Sequence, residues 1–315
     1  MAITVALQQK VAILVLLFGR NSAETEQQAA TTEEFRGSSL WQQEHLQLCN
    51  SSQLAHGVTR AADDKKLLQS DRHGKCVQMS GHLPPYIAVN VELLSYRPLL
   101  MLIHGFASKT LADAVVDYAV SNNLVLQGVI ASESSTKTIT EQAHRVAKGL
   151  FVPEHGQPAF EQLTARVVNF FDIDSKSAES FNLLSYDSGG HYVPHSDYIW
   201  ENIDPDDWWM NEHGNRIATF FFIAQTAEQG GGTLFPELGL CVRPAAGDAL
   251  FWFNMRPDGK MEEALMHGAC PVVKGNKVAA TMWIRHFGQM FNARCPLNET
   301  DTQLQLNSLM RAGIH

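Results

Sequence analysis

The 315-residue chain has no apolar run of the ~18 residues that crossing a bilayer requires, which leaves out a membrane span. It has no dense basic stripe, and its formal net charge is −9, so nucleic acid is excluded as a partner. It has only five cysteines, and none forms a C-x-x-C, which speaks against a zinc site. There is no internal repeat. What is present is a 45% apolar composition, which belongs to a globular protein with a sizeable core in one large domain or two small ones.

Lys10 precedes an apolar run over residues 11–18, followed by small and polar residues. That run is too short to span a bilayer and suits a secretory signal, with cleavage near Ala23. Two N-glycosylation sequons, Asn50-Ser51-Ser52 and Asn298-Glu299-Thr300, fit the same route. In an oxidising lumen Cys49, Cys76, Cys241, Cys270 and Cys295 make two pairs and one left over, with connectivity open.

Residues 24–84 are polar and irregular, with a highly charged stretch, AADDKKLLQSDRHGK. From Pro85 the pattern becomes structured. YIAVNVELLSYRPLLMLIHGF reads as strand, turn at Arg97-Pro98, strand. Ser108 caps a predicted helix towards Ser121, a weaker helix is predicted over 140–150, and Phe160, Leu163, Val167 and Phe171 form the apolar stripe of a third. From residue 180 the period changes to short runs rich in β-branched and aromatic residues, separated by glycine, proline and aspartate. This predicts an α+β protein: a sandwich or barrel-like jelly roll with earlier helices on one face.

The chemistry is carried by HYVPHSD. On a strand, residues two apart share a face, so His195 and Asp197 project together. A third ligand completes one face of an octahedron, and His267 is the best candidate. Two histidines and one carboxylate with open positions is the arrangement of non-haem Fe(II) oxygenases. Ten residues on, Lys277 shares a strand face with Ala279, Thr281 and Trp283. A lysine there makes sense if a cavity beside the metal holds an anion. The competing readings are two polar residues on a wet strand and a surface lysine. His104, His144, His155 and His286 are read as surface or satisfied polar residues.

YDSGGHYVPHSD, GNRIATFFFIAQTAEQGGGTLFPE, GDALFWFN and HGACPVVKGNKVAATMWIRHFGQ resemble, in order and spacing, the catalytic domain of animal collagen prolyl 4-hydroxylase α subunits, over about residues 85–295. The resemblance implies a double-stranded β-helix that uses Fe(II), 2-oxoglutarate, O2 and L-ascorbate in the endoplasmic reticulum lumen to convert peptidyl proline in collagen-like chains to 4-hydroxyproline. It implies that His195, Asp197 and His267 bind iron, and that Lys277 and Tyr186 bind 2-oxoglutarate. It places Tyr192, Arg216 and Trp283 at the peptide. It implies disulfides Cys49–Cys76 and Cys270–Cys295, with Cys241 left over. The domains are then a signal over 1–23, a short N-terminal region over 24–84, the oxygenase domain over 85–295 and a tail over 296–315. Two positions depart from the pattern: Ile223 stands where tyrosine is usual, and Asp187 where glycine is common. The stretch between signal and catalytic domain is too short for the dimerisation and peptide-binding segments of the long α subunits, and so resembles the short nematode form. The chain ends RAGIH, without a KDEL-like signal, so retention calls for a partner, and the family's is protein disulfide isomerase. Two alternatives stay open: an oxygenase acting on lysine or a non-collagen protein, and a non-catalytic subunit that binds proline-rich chains.

Overall fold

The short apolar runs become strands because each can bury one face or both between layers. The computed structural model describes residues 35–51, 57–60, 75–79, 89–127, 141–153, 155–200, 206 and 208–289. The chain divides into Met1–Ser38, of which only a turn at 35–38 is described, and Ser39–His315. The expected signal over 1–23, most of the charged stretch, Cys295, Asn298 and the tail lie outside the described residues.

In chain order the first strands are β1 (Gly57–Arg60), β2 (Lys75–Met79), β3 (Val89–Tyr96), β4 (Leu99–His104), β5 (Val125–Leu126) and β6 (Arg145–Val146). Then come β7 (Lys148–Phe151), β8 (Asn182–Tyr186), β9 (His191–His195), β10 (Arg216–Gln225), β11 (Gln229–Gly230) and β12 (Thr233–Phe235). The last are β13 (Leu240–Arg243), β14 (Ala249–Phe253), β15 (His267–Ala269), β16 (Val272–Lys274) and β17 (Lys277–Arg285). A nine-stranded sheet runs β2-β3-β4-β14-β10-β17-β8-β7-β5, a six-stranded sheet runs β1-β13-β12-β15-β9-β6, and β11 pairs with β16. The helices are α1 (Gln43–Ser51), α2 (Lys109–Ser121), α3 (Glu141–His144), α4 (Pro158–Phe171) and α5 (Trp208–His213). The result is a mixed α/β fold with a sheet-rich core.

Two apolar layers hold it. Between the larger sheet and α2 and α4 lie Leu111, Val115, Phe160, Leu163, Phe170 and Phe171 against Phe220, Phe222, Phe251 and Met282. Between the two sheets lie Phe221, Ile223, Leu250 and Trp252 against Phe235, Leu240 and Val242. The alternation of Phe220 and Phe222 with Phe221 and Ile223 sends one strand's side chains into both layers. The helices start and stop where local chemistry dictates. Ser108 accepts a hydrogen bond from the Leu111 N–H at the start of α2, and α4 has Pro158 at its start and the left-handed Asp172 at its end. Among the described residues no helix is long and apolar enough to cross a membrane.

Two expectations are corrected. Residues 140–150 do not form one helix: α3 stops at His144, and Arg145–Val146 and Lys148–Phe151 pair with β9 and β8. Pairing with two sheets outweighs a weak helical pattern. The disulfide also differs, because Cys49 is bonded to Cys270, 221 residues away in sequence. Helix α1 contacts β12 and β13, which brings Cys49 to the smaller sheet, whereas Cys76 stands on β2 at the edge of the larger one. Cys241, on β13, has its Sγ 3.5 Å from that of Cys270. Asn50 is exposed on α1.

Closing so long a loop stabilises mainly by restricting the unfolded chain. Cys270→Ser is expected to lower unfolding stability by about 2–5 kcal/mol under oxidising conditions. Denaturant titration checks this, and an unchanged midpoint would show that the bond is not a staple.

Candidate active site

His195 ends β9, and His267 opens β15 directly opposite it in the antiparallel register. Their rings face each other with centroids 4.5 Å apart. Asp197 is not on the strand, as the sequence pattern suggested, but reaches the same point from the bend just after it. His195 Nδ1 lies 2.9 Å from the Val193 carbonyl and His267 Nδ1 3.1 Å from that of Leu265. A carbonyl only accepts, so each Nδ1 carries the proton and each Nε2 presents a lone pair. His195 Nε2 is 3.8 Å from Asp197 Oδ1, and His267 Nε2 is 3.4 Å from Asp197 Oδ2. One ligand atom from each residue lies within 4.8 Å of the others. Two neutral imidazoles and a carboxylate at these separations fit a divalent cation with bonds of about 2 Å.

Electrostatics agrees with that protonation. Burial, and the facing His267, push His195 down to about 3, so it is neutral. Burial alone would raise Asp197, but the adjacent His267 and His195 rings outweigh it and hold the carboxyl far below its usual range, so it is ionised. The arrangement offers one negative charge and two lone pairs to a cation.

The triad lies on the wall of a cavity of about 810 Å³. Behind residues that line the same cavity is Lys277, 2% exposed and the cross-strand partner of Tyr186. Its Nζ is surrounded by the Thr233 hydroxyl at 3.5 Å and the rings of Phe221 and Tyr186, with centroids 5.2 and 5.7 Å away. Thr233, Phe221 and Tyr186 all line the cavity. Burial lowers Lys277 to about 8. A buried ammonium with one hydroxyl for company is a receptor for a carboxylate.

The other expected residues converge here. Tyr192 stacks on His195 with ring centroids 3.5 Å apart, and burial raises its hydroxyl to about 12. Arg216 lies 3.6 Å over the Trp283 ring, its guanidinium held by two hydrogen bonds to Glu179. The Trp283 indole N–H is buried with no hydrogen-bond partner among the described residues. Ile223 packs in the inter-sheet core opposite Ala279, and Asp187 accepts from Lys148 and Asn276.

Three residues escaped the sequence reading. Arg145 lies 4.9 Å over the Tyr192 ring, and its charge acts on the Tyr186 hydroxyl. It was hidden because its segment reads as helix. Thr233 carried no signal. Glu179 binds both Arg216 and Arg285, each at 2.7 Å, and a lone glutamate before a strand announces nothing.

Residues 181–285 match the 2OG-Fe(II) oxygenase superfamily. They are a 2OG-Fe(II) oxygenase domain. The chain is 30% identical over 211 residues to prolyl 4-hydroxylase subunit alpha-2 of Caenorhabditis elegans, covering 67% of this chain and 38% of that protein. It is 31% identical over 205 residues to prolyl 4-hydroxylase subunit alpha-1 of Rattus norvegicus, covering 65% and 38%. The chain thus spans 38% of the length of these relatives. Among solved structures, the 2OG complex of the viral collagen prolyl hydroxylase from Paramecium Bursaria Chlorella virus-1 is similar at 22% identity and a TM-score of 0.46, covering 59% of this chain and 95% of that one. The oxygenase domain contains every residue of the triad and Lys277, and its family uses Fe(II) and 2-oxoglutarate.

Pairing with a carboxylate raises the Lys277 value above its unliganded one of about 8. If Lys277 holds a carboxylate of 2-oxoglutarate, affinity is flat below about pH 8 and falls above it, by up to ~10-fold per pH unit, until the raised value is reached. Calorimetry of metal-loaded protein across that range should show the bend. Lys277→Met should bind more weakly and lose it, and a bend that persists in the variant would assign it to another group.

Proposed function

We propose that the protein hydroxylates peptidyl proline to 4-hydroxyproline in collagen-like, proline-rich chains, coupled to conversion of 2-oxoglutarate to succinate and CO2. One observation carries the reading: the His195–Asp197–His267 cluster lines a cavity with an aromatic rim, and so do Thr233, Phe221 and Tyr186, the residues around the buried Lys277 ammonium. The two prolyl 4-hydroxylase subunits named above support proline as the target.

Iron and 2-oxoglutarate, when bound, supply the O2 chemistry that places one oxygen on the substrate. The chain's own residues do the rest. The triad offers three ligand atoms on one face and leaves the cavity side open. Lys277 and Thr233 anchor the far carboxylate of 2-oxoglutarate, with Tyr186 against it. Tyr192, Trp283 and the half-exposed Phe151 give flat apolar walls that suit an extended polyproline II chain, whose carbonyls are all free to accept hydrogen bonds. The unpartnered Trp283 N–H is one donor for them. Glu179 fixes Arg216 so that it covers the Trp283 ring.

The same reading makes the two facing sheets a double-stranded β-helix flanked by helices, within a domain over 85–295 that follows a signal at 1–23 and a short region at 24–84. The Cys49–Cys270 disulfide and the exposed Asn50 sequon support folding in the oxidising lumen of the endoplasmic reticulum. L-ascorbate as reductant and protein disulfide isomerase as retaining partner complete the proposal.

The test is mass spectrometry of a (Pro-Pro-Gly) repeat peptide after incubation with the protein, co-expressed with the isomerase, Fe(II), 2-oxoglutarate and ascorbate. The expected result is a gain of one oxygen on the proline before glycine, absent in His195→Ala. Decarboxylation of 2-oxoglutarate without any change in the peptide would keep the iron site and reject this substrate.

A further inference from the structure

We propose that a one-directional hydrogen-bond relay, Trp252–Asn254–Thr219, fixes the Asp197 carboxylate as a one-oxygen metal ligand. The inference rests on the iron-site reading above. Trp252 Nε1 donates to Asn254 Oδ1 at 2.9 Å, Asn254 Nδ2 donates to Thr219 Oγ1 at 2.8 Å, and Thr219 Oγ1 donates to Asp197 Oδ2 at 2.8 Å. All four residues are buried, at 1%, 3%, 0% and 6% exposure respectively, and buried polar groups of this kind are hydrogen-bonded.

The direction follows from the ends. An indole N–H can only donate, so the amide must turn its oxygen to Trp252 and its NH2 to Thr219. The threonine oxygen then receives a proton from Asn254 and has its own single proton to give. An ionised carboxylate can only accept, so that proton points at Oδ2. No member can reverse without leaving a buried donor facing a donor or an acceptor facing an acceptor.

The frame of the relay is rigid. Thr219 and Trp252 are cross-strand partners on β10 and β14. The Asn254 N–H donates to the Ile217 carbonyl, and its own carbonyl accepts from Glu262 N–H. Because Oδ2 already accepts the Thr219 hydrogen bond, Oδ1 is the oxygen with both lone pairs open. A carboxylate held this way does not swing to grip a cation with both oxygens, and the positions needed by a cosubstrate stay open. Thr219, Asn254 and Trp252 are thus positioning residues, acting through Asp197.

The test is Co(II) titration of the purified, metal-free protein, read by its visible absorption bands, with thermal unfolding measured in parallel. Thr219→Val keeps the shape and removes the proton. It is expected to weaken Co(II) by about 10–100-fold and to shift the bands as the carboxylate turns. Thr219→Ser should restore both to near the parent protein. Asn254→Ala should lose an intermediate amount. Unchanged affinity and bands in Thr219→Val, or a serine variant as weak as the valine one, would overturn the role of the hydroxyl. An unaffected Asn254→Ala would overturn the relay while leaving Thr219. A parent protein that binds no Co(II) would overturn the metal-site reading and the relay with it.

Discussion

Everything at this site depends on the register between β9 and β15. Directly opposed residues on antiparallel strands have side chains about 5 Å apart on one face, and His195 opposite His267 places both imidazoles on the cavity side. A slip of one residue would turn one ring to the other face and destroy the cation site outright. The short β15 is therefore held from several directions. Its other neighbour is β12, its end is tied by Cys270 to α1, and each ring is pinned by a carbonyl two residues back. The bend carrying Asp197 is fixed just downstream, where Asn215 exchanges two hydrogen bonds with the Ile199 backbone.

The two layers of the core divide the labour. The helix-side layer is almost wholly apolar and aromatic and makes the larger sheet a stiff floor. The inter-sheet layer is apolar at one end and polar at the other, where the strands carry Thr219, Thr233, Lys277 and Thr281 instead of phenylalanine and leucine. Polar groups so buried cost free energy unless paired. Here they pair with one another, with Asp197, or are left for a ligand.

The sequence made the strands and the ligands legible for one physical reason: both follow the two-residue period. Lys277, Thr281 and Trp283 on one face of β17, against Val278, Ala280, Met282 and Ile284 on the other, emerge as read, because a strand between two layers must sort its side chains. The readable helices were those with a cap or an apolar stripe. What stayed hidden depends on contacts between distant segments. Arg145 joins the site only because its segment pairs with β9, and the charge pair of Glu179 with Arg216 and Arg285 has no local pattern. The disulfide misled for the same reason, since a family expectation about Cys49 and Cys270 says nothing of which sheet α1 docks on. The Trp252–Asn254–Thr219 chain joins two strands and leaves no periodic trace.

The choice of lysine at 277 follows from this layout. The triad contributes one negative charge, so a bound divalent cation leaves a net positive centre at one end of the cavity wall, and Lys277 supplies a second positive charge beneath it. A short molecule with a carboxylate at each end satisfies both, and a monoanion leaves one buried cation unpaired, at a cost of several kcal/mol. An arginine would demand a wider, planar partner for its fork and would stay charged whether or not it was filled. The Lys277 ammonium is a point charge that fits beneath one hydroxyl and two rings, and burial already brings its value to about 8. Pairing with a carboxylate reverses that burial penalty, and so the residue proposed to receive the second carboxylate is also the one that gains most from its arrival.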